Sequence, residues 1–332
     1  MRRFALICAL LLLLTSCTNA GSGDIIDEVS DIVSDMTEEG AEGYTLQLGI
    51  AQEHNASESK VKFAATFASV ICDGEGRIVS CAFDAIDHSV SVMGGAVDAG
   101  GEYPSKRALG DDYKMKNASP IGREWYQQAD HFAEYIKGYT IDEVLAVEGG
   151  EADLVAGCTI DIDPFKAAIE ASDDDDMKRE FSVKGDPKAS LAVVSSDEGA
   201  KNASETSDGI AALSSTYAAV ALEGKRIAAA VTEVTETKVY FDMAGLVSNI
   251  SKGPGKRAQG DSYGMKSASP IEKEWYQQAS ALEEYVVTMN SDQVAAVSMN
   301  DGRAADDDLR AGCTIVISDL VSAISRAAEG IG

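Results

Sequence analysis

Lys106 to Gln128 reads KRALGDDYKMKNASPIGREWYQQ, and Lys256 to Gln278 reads KRAQGDSYGMKSASPIEKEWYQQ. Most positions match and no gap separates the copies, so the chain contains an internal duplication and each half is read against the other. A second match follows each block, at the end of an acidic loop. It is Asp153-Leu154-Val155-Ala156-Gly157-Cys158-Thr159 in the first half and Asp308-Leu309-Arg310-Ala311-Gly312-Cys313-Thr314 in the second. The loops before the two signatures differ in length, yet Asp, three residues, Gly, Cys and Thr return in the same order.

Around these blocks the pattern predicts mixed α and β structure. Val61 to Cys72 and Arg77 to Asp84 are rich in β-branched and aromatic residues and flank Asp73-Gly74-Glu75-Gly76, which predicts a β-hairpin. Val79, Cys81 and Phe83 alternate onto one face of it. Thr216 to Val220 and Arg226-Ile227 answer this hairpin in the second half. Inside each block, Ser119 and Ser269 stand where a helix N-cap would, with Pro120 and Pro270 at the first helical position. Glu272 would complete a capping box with Ser269, whereas Gly122 breaks it in the first copy. Ile121, Trp125, Ala129, Phe132 and Ile136 form one apolar helical stripe, and Ile271, Trp275, Ala279, Leu282 and Val286 repeat it. Short helices are expected at residues 140–147 and 290–297, and closing helices at 163–171 and 320–328. The fold class expected is therefore α+β: two tandem repeated domains, each an antiparallel sheet or hairpin packed by helices.

The N-terminus has its own reading. Met1-Arg2-Arg3 is basic, Phe4 to Leu14 is apolar but short for a membrane span, and Leu14-Thr15-Ser16-Cys17 follows. This resembles a bacterial lipobox, which implies a signal peptide over residues 1–16, lipidation of Cys17 and an extracytoplasmic protein held to the membrane. Residues 17–43 would be a tether, 44–172 the first domain, 173–188 an acidic linker around Asp173-Asp174-Asp175-Asp176, and 189–332 the second domain.

Charge and composition exclude more than they assign. With 55 acidic against 28 basic residues, a net charge of −27, the chain would repel nucleic-acid backbones. Its histidines are 54, 88 and 131, none with a counterpart in the other half and no pair at metal-ligand spacing. Nucleophile elbows, P-loops and dinucleotide fingerprints are absent from the sequence. Cys72 and Cys81 are not opposite each other in the simplest hairpin register, which favours small buried residues over a disulfide. Against this acidity, Lys106, Arg107 and Lys116, with Lys256, Arg257 and Lys266, form a duplicated basic cluster that either binds an anion or pairs with local acids such as Asp111 and Glu124. Tyr113, Met115 and Tyr126, with Tyr263, Met265 and Tyr276, could pack on a planar ligand, while Trp125 and Trp275 lie on the apolar stripe and read as core.

The signatures and the strand–Asp-Gly turn–strand at Val70 to Asp84 together resemble the FMN-binding domain family, whose motif is roughly Asp-x-x-Ser/Thr-Gly-Ala-Thr. The likeness spans both halves, from about Val61 to Ser172 and from Gly209 to Ala328. It implies that Thr159 and Thr314 accept FMN as a phosphoester from a separate flavin transferase. Asp153, Gly157 and Cys158, and Asp308, Gly312 and Cys313, would shape the two sites. Lys106, Arg107, Tyr113 and Met115, and Lys256, Arg257, Tyr263 and Met265, would support the cofactor. Ala156 and Ala311 depart from the motif by lacking a hydroxyl, and Cys158 and Cys313 stand where the family has alanine. Two functions stay open: a surface electron carrier that takes electrons from a membrane donor and is not itself a catalyst, or a flavin-free binding or structural lipoprotein. A thiol nucleophile at Cys158 or Cys313 is a further option, with no neighbour in the sequence that lowers its pKa.

Overall fold

The computed structural model describes residues 40–330 except Glu58, Gly100 and Glu102. The expected signal peptide, Cys17 and most of the tether lie outside the described residues. From Glu42 onward the chain forms one compact body.

Its first half opens with β1 (Glu42–Gln52), β2 (Asn55–Ser57), β3 (Lys60–Asp73) and β4 (Ile78–Ser91). Helices α1 (Lys106–Leu109), α2 (Trp125–Tyr135), α3 (Ile141–Leu145), α4 (Ala152–Val155) and α5 (Asp163–Ala171) follow, and then β5 (Lys178–Val183). The second half comprises β6 (Lys188–Ser196), β7 (Gly209–Glu223), β8 (Arg226–Phe241), β9 (Val247–Lys252), α6 (Trp275–Tyr285), α7 (Ser291–Ala295), β10 (Met299–Asn300), β11 (Arg303–Ala304), α8 (Asp307–Arg310) and α9 (Ser318–Ala328).

All the sheet pairings are antiparallel. In the first sheet β3 lies between β4 and the continuous edge of β1 and β2, and β5 pairs on the far side of β1. In the second, the order is β6-β7-β8-β9. The two sheets face each other across a core that mixes both halves: Leu46, Phe63, Phe67 and Ile86 from one, Leu191, Tyr217, Val231 and Phe241 from the other. The rings of Phe67 and Tyr217 meet at 4.8 Å in that core. The outer face of each sheet carries its own helices. Val70, Ile78 and Phe83 pack on Trp125, Phe132 and Phe165, while Val220, Ile227 and Val234 pack on Trp275, Leu282 and Ile324. The result is helix, sheet, sheet, helix.

This arrangement changes the expected partition. The boundary near Ser172 does not separate two independently cored halves, because the face between the sheets is buried by both. The acidic stretch 173–188 is also not a solvated linker throughout. Lys178 lies 2.9 Å from Asp173 and 3.1 Å from Asp175, and β5 then pairs along β1. Pairing and the stacking of Phe181 on Tyr44 at 5.8 Å hold this strand where composition alone suggests solvent. On the N-terminal side, β1 begins at Glu42, inside the expected tether.

Two further expectations are corrected by local geometry. Val79 does not share a face with Cys81 and Phe83: a bulge opposite Ile71/Cys72 turns Val79 toward the inter-sheet core, and a matching bulge at Ala221/Leu222 does the same for Ala228. The block helices begin at Trp125 and Trp275, with Glu124 and Glu274 rather than Ser119 and Ser269 as N-caps. The reason lies at the preceding turn, which needs a left-handed residue, with φ of +63° at Gly122 and +53° at Glu272. Gly122 fits that turn, whereas Glu272 carries a side chain in a region that costs an L-residue about 1–2 kcal/mol. Glu272 is exposed. Glu272→Gly should therefore raise stability in urea unfolding by up to about 1 kcal/mol, after the ~0.5–1 kcal/mol entropy cost of glycine. A loss of stability would contradict the turn assignment.

Candidate functional site

The site is built by a glutamine that the block supplies in each half. Gln128 and Gln278 are fully buried on α2 and α6. The amide nitrogen of Gln128 donates to Ser119 Oγ at 3.2 Å and to the Arg123 carbonyl at 3.1 Å. Its oxygen accepts from the Thr159 backbone N–H at 2.9 Å and from the Thr159 hydroxyl at 3.1 Å. Gln278 repeats the set with Ser269 at 3.2 Å, the Lys273 carbonyl at 3.0 Å, the Thr314 N–H at 2.8 Å and the Thr314 hydroxyl at 3.0 Å. The two duplicated motifs of the sequence, Trp-Tyr-Gln-Gln and Gly-Cys-Thr, are thus one unit in space. Gln128 and Gln278 were not singled out from sequence, although both copies carry them. Buried amides need such partners, and here each Oε1 accepts twice.

The rest of the block frames this unit. Buried Glu124 accepts from the backbone N–H groups of Met115 at 2.8 Å and Lys116 at 3.1 Å, and Glu274 does the same for Met265 and Lys266 at 2.8 and 3.0 Å. Asp111 accepts from the Tyr126 hydroxyl at 3.1 Å. These acids therefore tie the block to itself rather than pairing with Lys106 or Arg107, as local pairing would have had it.

Each signature approaches its helix closely. A Cβ on Gly157 would fall 2.3 Å from the His131 ring, and one on Gly312 would fall 2.8 Å from the Ala281 Cβ, so both glycines are fixed by packing. Cys158 and Cys313 are buried, and burial pushes both thiols up to about 11. They are small core residues, and a thiolate nucleophile is not available at neutral pH. Iodoacetamide at pH 8 should label them slowly in the native protein and fully after denaturation; rapid native labelling would overturn this. The following threonines lie at the surface, Thr159 exposed and Thr314 half-buried, with each hydroxyl turned onto its glutamine. Asp153 and Asp308 are exposed in the first turns of α4 and α8, and Ala156 and Ala311 are exposed C-caps of the same helices.

The predicted basic cluster divides. Arg107 donates through Nε to the Phe83 carbonyl at 2.8 Å and lies 2.6 Å from Asp130. Arg257, 2% exposed, donates to the Thr232 carbonyl at 2.8 Å and to Glu283. Both guanidinium groups anchor the block to β4 or β8. Lys106 sits over the rings of Tyr113 (5.2 Å) and Trp125 (5.6 Å) and lies 3.8 Å from Asp87. Lys256 sits 6.0 Å over Tyr263 and pairs with Glu236 at 3.2 Å. Among the described residues, no hydrogen bond or ion pair joins these lysines to Thr159 or Thr314. Tyr113, Met115, Tyr263 and Met265 are half-buried against the helix cores.

Other cations stand at the signatures instead. Arg123 donates to the Gly157 carbonyl at 3.4 Å, and the positive charge of Lys273 bears on Cys313. Arg303, on the short β10–β11 hairpin, donates to the Thr314 carbonyl. Sequence reading missed these residues, though comparison of the copies shows a basic side chain at 123 and 273. It also missed two buried carboxylates, Asp84 and Glu233, which accept from the Arg107 and Arg257 backbone N–H groups at 3.1 and 2.9 Å. Burial pushes both carboxyls up.

A cleft of about 470 Å³ lies elsewhere, lined by Tyr44, Cys81, Asp130, Ala133, Asp186 and Ala189 among others, and none of its lining residues belongs to a signature.

No protein-family profile matches the chain. No solved structure matches it either. A chlorophenol reductase of Desulfitobacterium hafniense is 29% identical over 93 residues, covering 24% of this chain and 28% of the reductase. The chain thus spans less than a third of that relative's length.

Proposed function

We propose that the protein is a lipid-anchored extracytoplasmic carrier of two FMN groups, one in each half of the duplication, bound as phosphoesters at Thr159 and Thr314. The observation that carries this reading is the twice-built seating of a surface threonine on a buried glutamine, next to a buried cysteine. Each hydroxyl is fixed in direction by Gln128 or Gln278, on a threonine that is exposed at 159 and half-buried at 314. Esterification removes the hydroxyl proton, and the glutamine oxygen then retains the threonine backbone N–H as its donor, so loading leaves no buried acceptor orphaned. Arg123, and Lys273 with Arg303, would hold the phosphate. Bound flavin would supply the electron chemistry, with the protein orienting it between a membrane donor and an acceptor outside the cell. The partial likeness to a reductase accords with a redox role. The enzyme that loads the threonines would be a flavin transferase, which the lipobox-like leader would place the chain to meet.

The test is co-expression with such a transferase, read by intact mass and by fluorescence on a denaturing gel. Wild type should gain two flavins, Thr159→Ala or Thr314→Ala one, and the double variant none. Serine at Ala156 and Ala311, both exposed, should raise the yield if the missing hydroxyl weakens recognition.

A second reading has one observation in its favour. The same threonine–glutamine bonds close a packing unit between helix and loop, as a flavin-free binding or structural lipoprotein would need. A wild-type chain that gains no adduct with its own transferase, and takes up no free FMN, would establish that reading.

A further inference from the structure

The cleft beside α2 has a counterpart in the second half, and that counterpart is filled. Helices α2 and α6 are related by a shift of 150 residues, and β4 and β8 by 149 through their matching bulges. The cleft walls at Cys81, Ala82, Asp130 and Ala133 therefore correspond to Ala230, Val231, Ser280 and Glu283. Over Ser280 and Glu283 lies Arg179 of β5, whose guanidinium donates at 2.9 Å to the Ser280 hydroxyl and at 2.9 Å to the Glu283 carboxylate. Arg179 is opposite Leu46 on β1, and the position on β6 that corresponds to Leu46 is Ala189, itself a cleft wall. Among the described residues no strand lies outside β6 as β5 lies outside β1.

The cleft walls suit a cation. Asp130, Glu134 and Asp186 stand against Lys137 and Lys188, and Tyr44 forms part of the wall. Asp130 is engaged by Arg107 through Oδ1, and Glu134 is engaged by Lys137, while Asp186 is exposed at the rim. The occupant is not a strand. The Ala189 N–H donates to Ser80 Oγ at 2.9 Å, which joins β6 directly to β4 at the place where β5 intervenes in the other half. Among the described residues, what remains open is the cleft of about 470 Å³.

We propose that this cleft binds a small guanidinium compound, taking from solution the group that Arg179 supplies in the second half. The proposal is independent of flavin loading, since none of the cleft residues belongs to either signature.

Agmatine is the probe, titrated into the purified full chain by calorimetry, with phosphate and acetate as anionic controls. Saturable binding with Kd on the order of 1 mM is expected for a ligand of this size. Asp186→Asn, at an exposed rim position, should weaken binding about threefold. Lys137→Gln frees Glu134 and should tighten it by a similar factor. Absence of agmatine binding at about twenty times the expected Kd would overturn the proposal. So would preferential binding of phosphate, or an agmatine affinity unmoved by both substitutions.

Discussion

Trp125→Ala is expected to destabilise the folded body by about 3–5 kcal/mol, the usual cost of emptying an aromatic site in a core. Trp125 is 4% exposed, its ring centre lies 5.7 Å from that of Phe165, and Phe165 in turn stacks on Phe132 at 5.6 Å. Removing the indole opens a space that these rings cannot close without leaving their own contacts. It also deprives Lys106 of one of the two rings beneath it. Trp275 is buried to the same extent, but its neighbours are Ala279, Leu282 and Ile324 rather than a cluster of rings. Urea unfolding followed by circular dichroism measures both losses. Because the sheets share a core, each variant should unfold in one transition shifted to lower urea. Two separated transitions would show that the halves are independent after all. Unchanged stability with weakened flavin uptake would move the tryptophans from the core into the site.

The apolar helical stripes were legible because only one face of each helix is buried. Trp125, Ala129, Phe132 and Ile136 are buried, as are Trp275, Ala279, Leu282 and Val286, while Ile121 and Ile271 of the same stripes precede the helices and are half-buried; the closing helix at 163–171 lies where its pattern put it. The strands conveyed less. Both faces of β3 are covered, with Phe63 and Phe67 toward the other sheet and Ala68 and Val70 toward the helices. A strand buried on both faces reads as a continuous apolar run, which shows that it is covered but not what covers it. The pairing of the two sheets, and with it the single body, was therefore hidden. Strand β5 was hidden for a different reason. Its sequence, KREFSV, follows four aspartates, and only the pairing with β1 and the ion pairs at Lys178 make it a strand.

The candidate site shows the same division. Thr159 and Thr314 stand out because they end a repeated signature, and the structure gives each the same pair of hydrogen bonds to a buried glutamine. Gln128 and Gln278 were equally repeated, yet a glutamine in an amphipathic helix looks like a surface residue until the loop that it holds is known. Ser119 was assigned as an N-cap because its spacing from Pro120 fits one. Its hydroxyl accepts from the Ile121 and Arg123 backbone N–H groups at 3.4 Å each, as a cap would, and from Gln128 at 3.2 Å, but Gly122 supplies a left-handed turn that delays the helix. The arginines of the basic cluster meet acidic partners, Asp130 and Glu283, that lie more than twenty residues away in sequence, beyond the reach of local pairing.

Glu283 is the residue whose loss should be felt most in the second half. It is 2% exposed and accepts from the Thr232 N–H and hydroxyl at 2.7 Å each, from Arg179 at 2.9 Å and from Arg257. Arg257 is as deeply buried as its partner, so Glu283→Ala strands a guanidinium that water cannot reach, and the expected cost is about 3–5 kcal/mol. Arg179→Ala should cost less, since that side chain is 29% exposed and Glu283 keeps Arg257. Asp130→Ala, the corresponding cut in the first half, should cost less than Glu283→Ala, about 1.5–3 kcal/mol: the Asp130 side chain is 43% exposed, but its loss leaves the Arg107 guanidinium, on a side chain only 7% exposed, bonded to the Phe83 carbonyl. The larger loss at Glu283 than at either Arg179 or Asp130 in urea unfolding is the quantity to measure, together with a double-mutant cycle between positions 179 and 283. A coupling near zero would mean that Arg179 merely lies beside Glu283. A Glu283→Ala loss no larger than that of Asp130→Ala would mean that water enters the second half, and the contrast between a filled site and an open cleft would lose its physical basis.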